Sequence, residues 1–337
     1  MKKIYTLKSF CTPENRSIIF PLLFDLYYVE NEVTRHHFCL VDDISSADIA
    51  ILPLDINWFL VNDFDEYKKF IVSATRCSVP IWVYSAGDFG ITVSDSVTTF
   101  RLGGFDSKLS RNTHIMPCFV TDPYRYILRD DWSPVSKIKK PTIGFVGNAD
   151  GSAFKWFKEF LLHYINEIRK ILGSDLHDRQ SFFPSSIKRF KLLRNLARDK
   201  RLYCNFVYRK KYRGGALTAE ERAQTTLEFY TNVRDSLYTF CLRGAGNFSV
   251  RFYETLLSGR IPLLVATDCR LPLSDVIDWN KHCVVADEHN VVEKLIEFHV
   301  SKSEGELNEI QKNNRNLMLN TLNRVCYFIH IAENLKK

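Results

Sequence analysis

Short apolar runs alternate with longer amphipathic stretches along most of this chain, and that alternation restricts its fold more than any other feature. Residues 3–7, 37–41, 47–52 and 80–85 are rich in Ile, Val, Leu and aromatics and read as strands, with 98–102 and 114–118 extending the set. Residues 58–72 carry helical periodicity between them. A polar stretch bracketed by Pro134 and Pro141 reads as a linker, and then the series resumes. Strands are expected at 142–146, 202–207, 238–242, 261–265 and 282–285, and helices at 152–172, 218–233, 249–257 and from 303 onward. Strands that take turns with helices form parallel sheets covered on both faces. Two such series predict two α/β domains, 1–134 and 141–302, with 303–337 as a helical segment that can pack back on the first. Ligands of such sheets bind at the carboxyl ends of the strands, and two facing domains leave a cleft.

The composition narrows the class. Hydrophobic residues make up 45% and charged residues 25%, enough apolar side chain for a sizeable core. Nine cysteines occur without a C-x-x-C pair, which argues against structural zinc or a disulfide framework and fits a reducing cytoplasm. The most apolar stretch, 18–29, carries Asp25 and is shorter than the ~20 residues a membrane span needs. Lys8 breaks the first apolar run too early for a signal peptide. The expected location is therefore cytoplasmic.

The net charge of +7 is unevenly placed. Between Lys188 and Arg213 lie eleven cations and one acid, Asp199, while the rest of the chain sums to −3. Residues 188–213 read either as a solvated helix face or as a patch for an anionic membrane surface or a phosphate-bearing acceptor. Nucleic acid is not expected, because the stacking pattern of a recognised module is missing.

The densest polar cluster lies at 240–264. A strand is followed by Arg243, Gly244, Gly246, Asn247, Ser249, Arg251 and Glu254, and then by a further strand. The glycines allow tight turning and close approach by a ligand. Ser249 is placed to cap the next helix, whose free N–H groups favour an anion. Arg243 and Arg251 can grip phosphate with forked donors. A cation at a helix start opposes the dipole, so Arg251 needs another task there. Glu254 follows by three residues on the same face and can accept two hydrogen bonds from a ribose diol. The cluster describes a nucleotide-diphosphate site; its ordinary reading is a capped helix with a surface Arg251–Glu254 pair. Gly147, in the turn after the strand at 142–146, is a further candidate for the donor cleft.

Cys241, Arg243-Gly244, Ser249, Arg251, Glu254 and Gly259-Arg260-Ile261-Pro262 follow one another in the order and spacing of a known motif. Together with Leu271-Pro272-Leu273 through Asp278-Trp279, they resemble the donor site of the exostosin-like glycosyltransferases, glycosyltransferase family 47. Leu242 stands where that family often has proline, and Arg260 where it often has cysteine. Upstream, Ala47-Asp48 through Pro53 and Ser85-Ala86-Gly87-Asp88-Phe89 are more loosely similar. The resemblance implies the GT-B architecture, two Rossmann-like domains facing across a cleft. It also implies inverting, metal-independent transfer of a sugar from a nucleotide-sugar donor, expected to be UDP- or GDP-linked, to a glycan or lipid-linked glycan; with no anchor visible and residues 188–213 basic, surface polysaccharide synthesis near the inner face of a membrane is the expected setting. The nucleotide sugar is a co-substrate, and no cofactor or metal is expected. A non-catalytic nucleotide- or glycan-binding module of the same fold is the alternative.

Inverting transfer needs a base across the cleft. Asp88, after a first-domain strand, is the candidate; Asp55 is the runner-up and His114 the third. Asp63-Phe64-Asp65 matches the D-x-D of a different glycosyltransferase architecture, but falls within the expected 58–72 helix, where acids commonly cover a solvent face. A retaining transferase or an epimerase on the same architecture is a further rival. A Rossmann oxidoreductase is disfavoured, because no G-x-G-x-x-G follows the first strand.

Overall fold

The computed structural model describes residues 1–94 and 96–334 and, at Tyr212 and Arg213, the backbone alone. Two all-parallel sheets form its frame. The first contains β1 (Lys2–Tyr5), β2 (Phe38–Val41), β3 (Ile49–Asp55), β4 (Ile81–Ser85), β5 (Thr98–Arg101) and β6 (Thr113–Ile115), in the order β2-β1-β3-β4-β5-β6. The second contains β7 (Thr142–Asn148), β8 (Tyr203–Arg209), β9 (Tyr238–Cys241), β10 (Ile261–Val265) and β11 (Val284–Ala286), in the order β11-β10-β9-β7-β8. Continuous burial of Ile49 through Leu54 and of Ile261 through Val265 fits strands covered on both faces. The α/β class and the two consecutive parallel sheets read from the sequence are the ones observed.

Several elements differ from the periodicity. The helix expected at 58–72 is two helices, Ile56–Asn62 and Phe64–Arg76. They part at Asp63, whose carboxylate accepts from the Glu66 amide at 3.1 Å and caps the second. The D-x-D is thus a helix start, and Asp65 reaches Lys68 on the surface. A helix the charge density concealed, Ser185–Arg198, runs through the basic segment and buries Ile187, Leu192, Leu193 and Leu196.

The two halves share a core along one edge. Helix Val250–Leu257, which leads out of the second sheet's β9 turn, packs Phe252, Tyr253, Leu256 and Leu257 into the first sheet's hydrophobic cluster. Helix Glu304–Asn320 begins with the capping box that Ser303 and Glu306 predict. The last helix, Arg324–Glu333, returns to the first domain. Its Phe328 ring lies 5.4 Å from Phe20 and 5.5 Å from Phe100, centroid to centroid. Arg324 grips the buried carboxylate of Asp25 with two bonds of 2.7 and 2.6 Å. A strand-like bridge between Phe105 and Cys269 adds a second seam. These contacts fix the carboxyl ends of β7 and β9 opposite the loop that follows β4.

Candidate active site

At that junction lies a cleft of about 650 Å³. Its second-domain wall is built from Gly147 and Asn148 at the end of β7, the Gly244–Ser249 turn after β9, Arg251 and Glu254 on the following helix, and Arg189, Arg209 and Tyr230. Its first-domain wall is Asp88 together with Phe119, Val120, Thr121 and Ile127.

Two cations define the electrostatics. Arg251 runs beneath Gly147: a Cβ there would lie 2.6 Å from Arg251 Nη2 and would displace the guanidinium. Arg251 donates to the Val146 carbonyl at 2.8 Å, and its guanidinium carbon sits 4.3 Å from the Phe145 ring centroid. Arg189 donates to the carbonyls of Asn148 and Arg243 at 2.8 and 3.3 Å and to Ser185 Oγ at 3.1 Å. Among the described residues neither arginine forms an ion pair with a carboxylate, and the Nε of each is buried without a partner. Burial, reinforced by the charge of Arg251, pushes the Arg189 pKa down to about 10. Burial lowers that of Arg251 as well. Neighbouring like charges taken out of water are unfavourable until an anion joins them. The eight-residue helix Val250–Leu257 opens on the same cleft and adds unpaired amide dipoles. Ser249 occupies its N-cap position and lines the cleft, but its hydroxyl makes no capping bond, contrary to the role its position suggests.

Arg243 requires a correction. It does not line this cleft. Side chains alternate along an extended chain, so Leu242 faces the cleft and Arg243 points away. The residue is 3% exposed; its guanidinium is wedged 4.6 Å from Phe183 and 5.2 Å from Phe105, and donates to Gln180 and to the Ala245 carbonyl at 2.7 and 2.6 Å. It braces the turn rather than facing a ligand. Asn247 needs the same correction. Its amide nitrogen serves the carbonyls of Gly104, Thr267 and Asp268, and its oxygen accepts from Thr267, so its bonding capacity is used to stitch the two halves together. The glycines divide likewise. Gly244 faces open space, whereas a Cβ on Gly246 would stand 2.1 Å from the Asp88 carbonyl oxygen. Gly246 admits the opposite domain, not a ligand.

Glu254 lines the cleft with Tyr230, whose hydroxyl lies 3.5 Å from Oε1. Burial first, and the Glu254 charge second, raise the Tyr230 pKa, so the phenol stays protonated and can donate.

The carboxylates of the first domain also separate. Asp88 stands exposed at the cleft, and partial desolvation raises its pKa above the ordinary carboxylate value. Asp55 is occupied elsewhere: it accepts from the amides of Ala86 at 3.0 Å and Asn57 at 3.4 Å and does not line the cleft. It fixes the turn that carries Asp88. His114 stacks on Phe100 at 5.4 Å, and burial lowers its pKa; it is a core residue.

Sequence reasoning missed Arg189 and Arg209 as cleft residues. Both were assigned to a surface patch, yet Arg209 is paired with Glu228 and bonds the Thr225 carbonyl. Lys188 pairs with Glu288 at 2.5 Å, and Arg201 with Asp199 and Glu293. Much of the basic segment is therefore used within the fold, and the side chain of Arg213 lies outside the described residues.

Fold and site define a two-lobed α/β protein with a cation-lined cleft at the carboxyl ends of its second sheet. Residues 180–301 match the family model described as the Exostosin GT47 domain. The chain is similar to an Exostosin-1 homolog of Caenorhabditis elegans, 37% identical over 81 residues, which cover 23% of this chain and 21% of that protein. It is similar to Exostosin-1 of Bos taurus, 39% identical over 72 residues, 20% of this chain and 10% of the other. A probable glucuronosyltransferase of Oryza sativa subsp. japonica is 33% identical over 63 residues, 19% and 14% of the two chains. The matched segments thus span between a tenth and about a fifth of these relatives. Among solved structures, TarM shares 10% identity at a TM-score of 0.36, over 85% of this chain and 54% of that one.

Proposed function

We propose that the cleft binds a nucleotide sugar and that the protein transfers its sugar to a hydroxyl of a glycan or lipid-linked glycan, with inversion and without an essential metal. The pair of buried, cleft-lining arginines beside a helix start, Arg189 and Arg251, neither in a direct ion pair among the described residues, carries this reading. The leaving diphosphate of a UDP- or GDP-linked donor would take the place between them, stabilised by two guanidinium groups and the helix amides. Glu254 would accept from the ribose hydroxyls, and Gly244 leaves room for the nucleotide. The acceptor oxygen attacks the anomeric carbon as Asp88 takes its proton. The bond from that carbon to the diphosphate oxygen breaks, and the electron pair leaves with the nucleoside diphosphate. A raised pKa makes Asp88 a stronger base for that proton than an ordinary carboxylate. The match to the Exostosin GT47 domain model supports glycosyl transfer as the reaction class. A cytoplasmic enzyme of surface polysaccharide synthesis is the setting we favour.

Thermal unfolding with UDP and GDP tests the proposal. At a ligand concentration one hundred times Kd, binding adds about 2.7 kcal/mol of stability. We expect a rise in Tm with one of the two nucleotides in the wild type, and none in Arg251→Met. An unshifted wild type would overturn the reading. A shift without transfer to any acceptor would leave the binding-module alternative.

A further inference from the structure

Helix Ala153–Ile171 is built inside out. It is 19 residues long, and none of them is buried. Phe154, Phe157, Leu161, Ile165, Ile168 and Leu172 recur at intervals of three and four residues, and each is at least 40% exposed. That spacing places them in one stripe. The side turned to the protein is the polar one. Glu159 pairs there with Lys155 at 3.5 Å, and Glu167 with Lys170 at 3.4 Å and Arg179 at 2.8 Å. Trp156 and Phe160 stack at 5.0 Å and hold the helix to Phe182. A helix that only covers a core presents the reverse pattern. Contiguous apolar surface of this kind marks a docking face.

We propose that this stripe lies in the interfacial layer of an anionic lipid membrane. Charge decides between occupants. Both acids of the helix are held in inward ion pairs, so none borders the stripe. Lys158 and Arg169, at its edge, are exposed and form no ion pair among the described residues. Helix Ser185–Arg198 packs alongside and exposes Lys191, Arg194 and Arg198. Cations flanking an apolar stripe match anionic headgroups above acyl chains. A second copy fits less well: an antiparallel pair centred near His163 sets Lys158 of one copy beside Arg169 of the other, with no acid between them. No helix among the described residues is long and apolar enough to cross a membrane, which leaves this one to lie along the surface.

The position of the helix gives the contact a use. Its Lys170 sits 4.4 Å from the Phe89 ring centroid and donates to the Asp178 carbonyl at 2.8 Å, next to the loop that carries Asp88. A membrane on the stripe would therefore lie across one helix from the loop that carries Asp88, on the first-domain side of the cleft. It follows, resting on the glycosyl-transfer reading, that the acceptor is carried on a lipid.

Co-sedimentation of the full chain with phosphatidylcholine vesicles, with and without phosphatidylglycerol, tests the docking. We expect binding to the anionic vesicles, its loss in the double variant Phe157→Glu, Ile168→Glu, and about fivefold weaker binding for each of Lys158→Ala and Arg169→Ala. All four positions are exposed, and unchanged thermal unfolding of the variants confirms that they fold. Wild type left in the supernatant, or equal binding by the double variant, overturns the proposal. So does a dimer in light scattering that the double variant abolishes while no vesicle binds. Nucleotide-induced stabilisation is read separately on the same variants: its absence in the wild type defeats the transferase reading and leaves vesicle binding standing.

Discussion

The carboxyl ends of the two sheets face each other, yet they treat charge in opposite ways. At the second sheet, Arg189 and Arg251 lie together with no direct ion pair among the described residues, within the fields of Glu159 and Glu254. At the first, Asp55 is committed to two backbone amides and holds the turn that carries the open Asp88. One side bears buried positive charge held without a direct ion pair among the described residues; the other offers a carboxylate whose ionisation is disfavoured by desolvation. Some structural charges elsewhere are paired, as Arg324 is with Asp25 and Arg315 with Asp122 at 2.9 Å, whereas the brace Arg243 is buried on carbonyl, amide and ring partners. What separates Arg189 and Arg251 from Arg243 is that they line the cleft.

The largest effect should come from the first-domain side. Asp88→Asn is expected to lower kcat by about 10²- to 10⁴-fold while nucleotide binding stays intact; an equal loss of binding would erase the division of roles. Arg251→Met should lower kcat/KM about 10²- to 10³-fold and abolish nucleotide stabilisation. Gly246→Ala pushes the Asp88 loop away from the turn across from it and should cost up to about 10²-fold in kcat, with donor affinity nearly unchanged. Arg243→Met sharpens the comparison in another way. As a brace between Phe105 and Phe183, its loss should lower stability by about 1–3 kcal/mol in denaturant unfolding and change nucleotide affinity only a few-fold.

The smallest effect is one of pH. The folded-state pKa of Asp88 is raised, so the folded protein holds that proton more tightly than the unfolded chain. Its contribution to stability is then lost as pH rises from the unfolded pKa through the folded one. Asp88→Asn should therefore be at least as stable as wild type at neutral pH, although inactive. The rising limb of kcat/KM should sit above the ordinary carboxylate pKa, and a limb at the ordinary value would remove Asp88 from the role of base.

Much of this frame is legible in the sequence because strand and helix periodicity are local. The turn at 243–254 is legible for the same reason: its glycines, N-cap position and charges lie within a dozen residues. What escapes is direction and distance. Leu242 and Arg243 are neighbours, and only the end of β9 decides which one faces the cleft. Gly246 and Asn247 read as ligand contacts until the opposing domain is present to meet them. Arg189 lies 54 residues from Arg243, on a helix whose apolar spacing is masked by ten surrounding cations. The inside-out helix is amphipathic in sequence whichever face it buries, so the choice of face appears only in the fold.

A crystal of the protein with bound UDP or GDP tests the central claim most directly. The account predicts diphosphate oxygens about 2.7–2.9 Å from the guanidinium nitrogens of both Arg189 and Arg251, with Arg243 still held between its two phenylalanine rings. A diphosphate seated elsewhere, or on Arg243 with the other two arginines untouched, would contradict it.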